Sequence, residues 1–459
     1  MFIGRRGELS ALNDFWSSDR FEMVTIYGRR RVGKTELIRE FIKDKKAIYF
    51  LATEGSHKEN LSGLTGAIHN SVDRANYKDL RLALDAIYEI ASKEKIVFVI
   101  DEYPYFAKSY KPVQSLLQHA IDQKFQHLNM MIILCGSSMS FMENEVDGYK
   151  SPLYGRRTGQ QKVLPLSYET SAKFFPSFER NEKAVLYGIT GGIPKYLLEV
   201  RDTQSLDENI KRIFFTPQGL LFEEPHNLLK QELREPAIYN AIISAIATGS
   251  SKLNEIVTKV DTIQFDSAKC NKYIRVLMDL HIVKRELPIL DKPNSKKSIY
   301  RLNDGMFRFW YKFVYPNISQ IALGNGAAVY KHIKSQIPNF MGETFEDVCK
   351  QYLWQENIEK RLPFNFTDCG RWWGNNKITK SEEEIDLLAY SKDSSSAIFC
   401  ECKWSNDKPG SSTLDNLIEK SSIFNYAEKY YMLFSKSGFS EELTKRASDR
   451  IILVDFSTM

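Results

Sequence analysis

Eight residues near the amino end of the chain, 28–35, constrain its fold more than any other segment. Their sequence, GRRRVGKT, matches the pattern GxxxxGK[ST] over its whole length. The apolar residues 23–27 predict a strand before this segment, and residues 34–42 predict a helix after it. In such a unit the glycines let backbone N–H groups face a phosphate, and the helix start adds a positive dipole. The sequence therefore predicts a phosphate-binding loop on an α/β sheet.

Further apolar runs predict the remaining strands of that sheet. They lie at residues 47–51, 96–100 and 130–135 and are separated by helical patterns. Buried strands alternating with helices are typical of a parallel sheet covered on both faces. We therefore expect the parallel sheet of a P-loop NTPase over residues 1–200, with a helical lid beginning near the end of this domain.

Polar residues that follow these strands complete the predicted nucleotide site. Lys34 is expected to reach the β- and γ-phosphates of ATP, and the Thr35 hydroxyl to ligate Mg²⁺. Asp101 directly follows the run 96–100 and would hold Mg²⁺ directly or through water. Glu102 would orient and activate the attacking water. This set predicts ATP hydrolysis rather than binding alone.

Two further groups are candidates for contacts to the reacting phosphate. Ser137 and Ser138 follow the run 130–135, where they either contact the γ-phosphate or water or simply form a turn. Arg156 and Arg157 lie in a polar loop, and a guanidinium can donate to two phosphoryl oxygens in the transition state. The alternative for both arginines is a solvated basic loop.

Several motifs together resemble the archaeal-type ATPases, a group of P-loop NTPases related to the AAA+ and STAND proteins. These motifs are FIGRRGEL at 2–9, the Walker A loop, Asp101-Glu102, LYGRR at 153–157 and GGIP at 191–194. The resemblance implies that Gly4-Arg5 borders the adenine, that Arg156 is a better candidate for the arginine finger than Arg157, and that the GGIP turn lies near the nucleotide and reports its state. The choice between Arg156 and Arg157 stays open. The predicted nucleotide-binding residues are Gly4, Arg5, Gly28, Arg29, Arg30, Arg31, Val32, Gly33, Lys34, Thr35, Glu36, Asp101 and Ser137, with Glu102 and Arg156 as catalytic residues.

The middle of the chain, residues 201–325, predicts a helical segment and a winged helix-turn-helix. Helical patterns at 253–260 and 267–280 precede strands at 281–287 and 298–302. The polar tip 288–297 between these strands carries Lys292, Lys296 and Lys297. A winged helix is typical after the ATPase domain of this group. The aromatic segment 307–315 is expected to lie in the core or between domains.

The remainder, residues 326–459, predicts a small α/β domain with a second constellation of charges. Glu401 and Lys403 share one face of a predicted strand because strand side chains alternate, and Asp386 on the neighbouring strand can reach the same point. Glu346 on the preceding helix could add a third carboxylate. Such carboxylates suit Mg²⁺ or Mn²⁺, and Lys403 would position or activate a water at a scissile phosphate.

This constellation resembles the PD-(D/E)XK restriction-endonuclease-like fold. Asp386, Glu401 and Lys403 correspond to the motif and Glu346 to the helix acid of that fold, although residues 381–384, SEEE, replace the proline of the motif. Archaeal-type ATPases often carry such a domain, described as of unknown function, at the carboxyl end. The resemblance implies a metal-dependent nuclease-like domain, and it leaves open whether the domain cleaves.

Charge and composition limit the partners and the compartment. The 63 Lys and Arg against 58 Asp and Glu give a net charge of +5, which permits a polyanion without requiring one. The six cysteines form no CxxC pair, which favours a reducing compartment, and we find no apolar span or leader. We therefore expect a cytoplasmic protein without membrane contact, with DNA as its partner and, if Arg156 acts in trans, an oligomer.

The leading expectation is an ATP-binding, ATP-hydrolysing protein that acts on or regulates DNA and carries a metal-dependent nuclease-like domain. Two alternatives remain at this point. In the first, the ATPase is a regulatory switch and the nuclease-like domain an inactive adaptor. In the second, the chain is a winged-helix transcription regulator with a sensory ATPase.

Overall fold

The computed structural model describes residues 2–69, 77–233, 235–260, 265–376 and 380–459. The described chain divides into two compact units. The first comprises Met1–Leu166 and Ile193–Lys195, and the second Ser167–Gly192 and Tyr196–Met459. The three domains predicted from the sequence, with boundaries near residues 200 and 325, do not coincide with these two units and stay a prediction.

The first unit alternates helices and strands along its length. Its elements are α1 (Arg6–Ser17), β1 (Glu22–Tyr27), α2 (Lys34–Ile42), β2 (Ala47–Leu51), α3 (His57–His69), α4 (Leu80–Ala91), β3 (Val97–Asp101), α5 (Tyr103–Ser109), α6 (Val113–Gln123), β4 (Met131–Gly136), α7 (Met139–Phe141) and β5 (Gly159–Lys162).

These strands form one five-stranded parallel sheet in the order β2-β3-β4-β1-β5. Every residue of β1, β3 and β4 is buried, because helices cover both faces and leave neither face open to water. The predicted α/β class with a parallel P-loop sheet is confirmed. The strand β5, with the polar sequence GQQK, was not predicted; it lies at an edge and is half exposed.

The second unit begins with helices, continues through a two-stranded hairpin and ends in a mixed sheet. Its elements are α8 (Tyr168–Ala172), α9 (Arg180–Thr190), α10 (Pro194–Leu197, which begins in the first unit), α11 (Leu206–Phe214), α12 (Glu224–Glu232), α13 (Pro236–Ala247), α14 (Leu253–Val260), α15 (Ser267–Asp279), β6 (Val283–Glu286), β7 (Ile299–Leu302), α16 (Gly305–Phe309), α17 (Ile318–Gln320), α18 (Gly326–Ile333), α19 (Ile337–Ile358), β8 (Asp368–Asn375), β9 (Glu382–Tyr390), β10 (Ser396–Lys403), α20 (Ser411–Ser421), β11 (Glu428–Ser435), α21 (Glu441–Thr444) and β12 (Ile451–Asp455).

The middle of this unit has two helices followed by a hairpin, the order of elements that the sequence predicts, while the winged-helix assignment stays a prediction. Helices α14 and α15 precede the antiparallel hairpin β6–β7. The aromatic segment that follows is core, as the sequence indicates, because Phe307, Trp310 and Tyr311 are completely buried. Lys292, Lys296 and Lys297 are exposed at the hairpin tip.

The carboxyl-terminal sheet has the order β12-β11-β10-β9-β8, with β8 at one edge. The strands β8, β9 and β10 are antiparallel, whereas β10, β11 and β12 are parallel. Strand β8 was not predicted. The hairpin tip packs on it, because the Ile289 N–H donates to the Arg371 carbonyl at 2.9 Å and the Ile289 side chain joins the core of this sheet. This contact covers an edge strand that would otherwise be open.

Two other sequence expectations bear on the whole chain. Within the described residues, no helix has both the length and the apolar character that crossing a bilayer requires. All six cysteines are free thiols, and five of them are buried, Cys400 among them, while Cys402 is partly exposed.

Candidate functional site

The phosphate-binding loop leaves the carboxyl end of β1 and enters α2. Arg31 and Gly33 have left-handed backbone angles, with φ of 71° and 91°. A Cβ atom on Gly28 would lie 2.3 Å from the Val163 carbonyl oxygen, so only glycine fits where the loop passes β5. These residues give the loop the tight curvature that phosphate-binding turns need.

Lys34 is buried beneath this loop. Its Nζ donates to the carbonyl oxygens of Gly28 at 2.8 Å and Arg29 at 3.1 Å. Burial lowers the pKa of Lys34, and the nearby carboxylates Glu102 and Asp101 oppose this shift. The ammonium group is therefore held inside the loop by neutral carbonyls, in the position from which it would meet a phosphate.

Asp101 lies at the end of β3 and is almost completely buried. Its Oδ2 accepts from the Thr35 hydroxyl at 2.8 Å and from the Tyr49 hydroxyl at 2.6 Å, and its Oδ1 accepts from the Glu102 N–H at 2.9 Å. The sequence did not indicate Tyr49, which belongs to the neighbouring strand β2. Its only sequence signal is the alternation within β2, and that signal says nothing about which acid its hydroxyl would meet.

Glu102 and Ser137 meet at the same edge of the sheet. The Ser137 hydroxyl donates to Glu102 Oε2 at 2.9 Å. A Cβ atom on Gly136 would lie 2.8 Å from the Pro104 ring, so this glycine lets β4 and α5 approach closely enough for that contact. Of the two serines, Ser137 is therefore the one in contact with Glu102.

The other predicted nucleotide-binding residues lie further from the side chains of Lys34, Asp101 and Glu102. Arg5 is buried and donates to the Val32 carbonyl at 2.9 Å, which connects the GRR motif to the loop. Arg30 donates to the Tyr105 hydroxyl at 2.9 Å. Glu36 points outward and pairs with Arg39 at 3.1 Å. The GGIP turn reaches the loop through Pro194, because a Cβ atom on Gly33 would lie 3.7 Å from the Pro194 ring.

The donor set of this loop fits Mg·ATP. A buried ammonium faces inward, and a hydroxyl and a carboxylate lie in hydrogen-bond contact where a hard cation prefers oxygen ligands. Lys34 and the loop would hold the phosphates, and Thr35 and Asp101 would hold Mg²⁺.

Arg156 lies away from the carboxyl ends of the parallel strands, where the phosphate-binding loop begins. Its Nε and Nη2 donate to the two oxygens of Asp122, at 2.9 and 2.8 Å, at the carboxyl end of α6. Two residues later, the Thr158 N–H donates to the Met23 carbonyl near the start of β1. The phosphate-binding loop follows the opposite end of the same strand, so Arg156 lies near the other end of β1. Arg157 pairs with Asp147 at 2.8 Å.

The predicted carboxyl-terminal site lies where β9 and β10 separate. Their ladder ends at the pair Leu387–Cys400, and beyond it Asp386 Oδ2 accepts from the Cys402 N–H at 2.7 Å. Lys403 Nζ lies 2.5 Å from Glu401 Oε1. Lys420 Nζ, which the sequence did not indicate, lies 3.7 Å from Glu401 Oε2. Two acids and two lysines therefore meet in the gap between the strands.

Glu346 is not grouped with these two acids. Its Oε2 lies 3.5 Å from Arg371 Nε and 3.8 Å from Arg301 Nη1. Across residues 2–69, 77–233, 235–260, 265–376 and 380–459, no three His, Cys, Asp or Glu side chains are arranged to hold a metal ion. In this conformation the predicted three-carboxylate set does not fit a divalent cation, because its third member faces arginines.

Two acids of this region, Asp386 and Glu346, have raised pKa values. Burial raises the pKa of Asp386, and the nearby Glu401 raises it further. Burial, followed by repulsion from Asp386, raises the pKa of Glu346 to about 8. Burial alone would lower the pKa of Lys403, but the charge of Glu401 outweighs it and raises that pKa. Buried ionisable groups with shifted pKa values are typical of functional sites.

Comparison with protein-family models matches two parts of the chain. Residues 2–200 match an ATPase domain found predominantly in Archaea. Residues 310–414 match DUF234, described as archaeal and bacterial proteins of unknown function.

One known relative matches almost the whole chain. The uncharacterized protein MJECL04 of Methanocaldococcus jannaschii is 34% identical over 448 residues, which cover 96% of this chain and 97% of that protein. The uncharacterized ATP-binding protein MJ0423 of the same organism is 46% identical over 46 residues, 10% of this chain and 78% of that protein. The Walker-type ATPase PABY2304 of Pyrococcus abyssi is similar in structure, with a TM-score of 0.54, 21% identity, and coverage of 68% of this chain and 96% of that one.

Proposed function

Because this chain belongs to the archaeal family of P-loop ATPases that carry a carboxyl-terminal domain of unknown function, we propose that it hydrolyses Mg·ATP to control a nuclease-like domain acting on DNA. The ATPase part of this proposal comes from the family. The roles of individual residues, the DNA and the cleavage are the proposal itself.

The observation that carries the proposal is the meeting of five side chains at the carboxyl edge of the parallel sheet: Lys34, Thr35, Asp101, Glu102 and Ser137. Lys34 would exchange its carbonyl partners for phosphate oxygens. Thr35 and Asp101 would hold Mg²⁺, which when bound neutralises phosphate charge. Glu102 would accept a proton from the attacking water, and the Ser137 hydroxyl would hold that carboxylate in position.

The nucleotide site is tested by two substitutions that separate binding from hydrolysis. We expect Lys34→Ala to abolish ATP binding in calorimetry, because the loop loses its only buried ammonium. We expect Glu102→Gln to bind ATP but to hydrolyse it at least about 100-fold more slowly. Glu40→Gln is the matched control, because it removes a carboxylate of the same helix α2 that pairs with Lys43 just beyond the helix. Tight ATP binding by Lys34→Ala would refute the loop assignment.

The DNA part of the proposal is supported by two features of the second unit. Three exposed lysines lie at the tip of a hairpin that follows two helices, the arrangement expected of a winged helix. Asp386, Glu401 and Lys403 converge beyond the last paired residues of β9 and β10. Lys403 would hold a water or a phosphate oxygen there.

Cleavage is tested with supercoiled plasmid and Mg²⁺, with and without ATP. We expect the parent protein to nick the plasmid and Lys403→Ala to be inactive. Lys445→Ala, which removes an exposed lysine of the same domain, is the control. ATP turnover of all three proteins is measured in parallel, so that loss of cleavage alone can be distinguished from loss of folding.

A second candidate function is a regulatory ATPase whose carboxyl-terminal domain is an adaptor. It is favoured by the position of Glu346, which contacts arginines instead of completing the acid set. Absence of cleavage by both the parent and Lys403→Ala, with ATP turnover intact, would favour this candidate.

A further inference from the structure

The Asp101 carboxylate at the end of β3 is only 1% exposed, so protein groups and not water determine how it is oriented. The Thr35 hydroxyl, the Tyr49 hydroxyl and the Glu102 N–H all donate to it. A buried carboxylate oxygen that lacks a donor costs free energy, and each donor therefore favours one orientation of the group. The position of this predicted Mg²⁺ ligand depends on these contacts.

The three donors differ in what else the proposed site asks of them. The Glu102 N–H donates to Oδ1 at 2.9 Å and leaves Oδ2 to the two hydroxyl groups. The Thr35 hydroxyl, 2.8 Å from Oδ2, is itself a predicted ligand of Mg²⁺, so it does not serve the carboxylate alone. The Tyr49 hydroxyl, 2.6 Å from Oδ2, has no other part in the proposed site. Tyr49 is therefore the donor whose contribution is to orient the carboxylate.

The parallel pairing of β2 and β3 brings Tyr49 to this carboxylate. Tyr49 lies opposite Val99, two residues before Asp101, and side chains two residues apart point to the same face of a strand. Two residues along a strand span about 7 Å. The tyrosine ring carries its hydroxyl across this distance, whereas the short side chain of a serine or threonine would end beside Val99. A phenolic hydroxyl also keeps its proton at neutral pH, so it donates to the carboxylate.

We propose that Tyr49 is a positioning residue of the nucleotide site: its hydroxyl holds the Asp101 carboxylate in the orientation in which Asp101 and Thr35 bind Mg²⁺ together. This inference rests on the proposed function of the phosphate-binding loop and deepens it. Tyr49 acts through Asp101 and is not itself a ligand. Without its hydroxyl, Oδ2 keeps only the donor that Mg²⁺ also needs, and the carboxylate is free to turn. Loss of the hydroxyl should therefore weaken Mg²⁺ binding and leave the phosphate contacts of Lys34 unchanged.

The role is tested in the full chain with Tyr49→Phe, which removes the hydroxyl and keeps the ring. Binding of AMPPNP, an ATP analogue that is not hydrolysed, is measured by calorimetry once with Mg²⁺ and once with EDTA. We expect Mg²⁺ to tighten AMPPNP binding by the parent, and this gain to be about tenfold smaller for Tyr49→Phe, because a hydrogen bond to a charged group is lost. With EDTA the two proteins should agree within about twofold, since Lys34 and the loop are unchanged.

Tyr103→Phe is the matched control. Tyr103 belongs to the same unit and is completely buried, and its hydroxyl has no hydrogen-bond partner among the described residues. Removal of that hydroxyl should change AMPPNP affinity less than about twofold, both with Mg²⁺ and with EDTA. The comparison separates loss of any hydroxyl from the core of this unit from loss of the one that donates to Asp101.

The Mg²⁺ dependence of ATP turnover gives a second measurement that a folding defect would not imitate. Tyr49→Phe should need about tenfold more Mg²⁺ than the parent to reach half of its maximal rate. At saturating Mg²⁺ its rate should come within about twofold of the parent's, because excess cation compensates for a less well oriented carboxylate. A loss of folded protein would instead lower the rate by the same factor at every Mg²⁺ concentration.

Failure of the positioning role and failure of the nucleotide site give different results. If Tyr49→Phe keeps the parent's gain in affinity from Mg²⁺ or exceeds it, while Lys34→Ala abolishes binding, Tyr49 has no positioning role and the loop assignment stands. An equal loss of affinity with Mg²⁺ and with EDTA would also overturn the role, because the hydroxyl would then not act through the cation. Binding of AMPPNP that does not respond to Lys34→Ala would reject the nucleotide site and the role of Tyr49 together.

Discussion

At the scale of single residues, the nucleotide site depends on side chains that motifs reveal and on others that they do not. The motif gives Lys34 and Thr35, and the strand end gives Asp101 and Glu102. Tyr49 contributes a hydrogen bond to Asp101 from another strand, and nothing in its sequence context predicts this. Hydrogen bonds of this kind depend on which strands become neighbours, which a local pattern does not encode.

Glu343 provides a residue-scale prediction of pH dependence. Burial would raise its pKa, but the charges of Arg308 and Arg301 outweigh burial and lower it to about 2. A depressed pKa stabilises the folded state above the ordinary pKa near 4.5, and this contribution is lost as the pH falls toward 2. Glu343→Gln should therefore lower the free energy of unfolding at pH 7. We expect a loss of about 1–2 kcal/mol, since part of the side chain is exposed and water screens the pairs.

Urea unfolding of the parent and Glu343→Gln at pH 7, 5 and 3.5 checks this prediction. The difference between the two proteins should be largest at pH 7 and should shrink at pH 3.5. Glu169→Gln, which removes an acid from the exposed pair with Lys173, should differ from the parent by less than about 0.5 kcal/mol. A difference for Glu343→Gln that stays constant or grows toward acid pH would contradict the ion-pair assignment.

At the scale of elements, the sequence predicts the strands that carry an apolar run or an alternation of apolar and polar residues. Residues 47–51 form β2 as expected, and the predicted strands 96–100 and 130–135 are each shifted by one residue, to Val97–Asp101 and Met131–Gly136. The two strands that were missed, β5 and β8, are edge strands with polar residues and glycines. Their pairing comes from backbone hydrogen bonds to a neighbour, so no periodic apolar pattern identifies them.

The residues of the candidate carboxyl-terminal site also fall into those that the sequence indicates and those whose contacts it does not. Asp386, Glu401 and Lys403 could be predicted because two neighbouring strands carry them. The contacts of Glu346 could not, since Arg301 and Arg371 come from a hairpin and an unpredicted edge strand. A charged residue in a sequence does not specify its partner when several opposite charges lie within reach in the fold.

The docked hairpin gives a prediction at this scale. A Cβ atom on Gly370 would lie 3.5 Å from the Ile289 Cβ, within the range that a disulfide bond spans. The double variant Ile289→Cys and Gly370→Cys should therefore form a disulfide under mild oxidation. Because the bond would close a long loop, we expect it to stabilise the protein by about 2–4 kcal/mol.

Thiol counting and thermal melting with and without reductant check this crosslink. Each single variant, Ile289→Cys or Gly370→Cys, serves as a control that retains one added thiol and cannot form the bond. If the double variant keeps both added thiols free under oxidant, the hairpin tip does not dock on β8 as described.

At the scale of the whole molecule, the position of Arg156 bears on assembly. Asp122 and Thr158 place this arginine near the start of β1, and the phosphate-binding loop follows the other end of that strand. At about 3.3 Å per residue, the six residues of β1 separate these ends by roughly 17 Å. A guanidinium held at that distance by two hydrogen bonds to Asp122 and one to the Tyr154 carbonyl does not reach the phosphates of its own chain. A catalytic role for Arg156 therefore requires a neighbouring copy.

The final prediction follows from this geometry. If Arg156 is a finger, Arg156→Ala and Lys34→Ala should each be inactive as ATPases for different reasons, the first lacking the finger and the second lacking nucleotide. Mixed together, they should regain a fraction of the parent rate, because an Arg156→Ala chain binds ATP and a Lys34→Ala chain supplies the arginine. The parent's rate per chain should also rise with protein concentration. If Arg156→Ala retains full activity, or the mixture stays inactive, Arg156 is not a finger acting in trans, and its pair with Asp122 serves the stability of the ATPase unit.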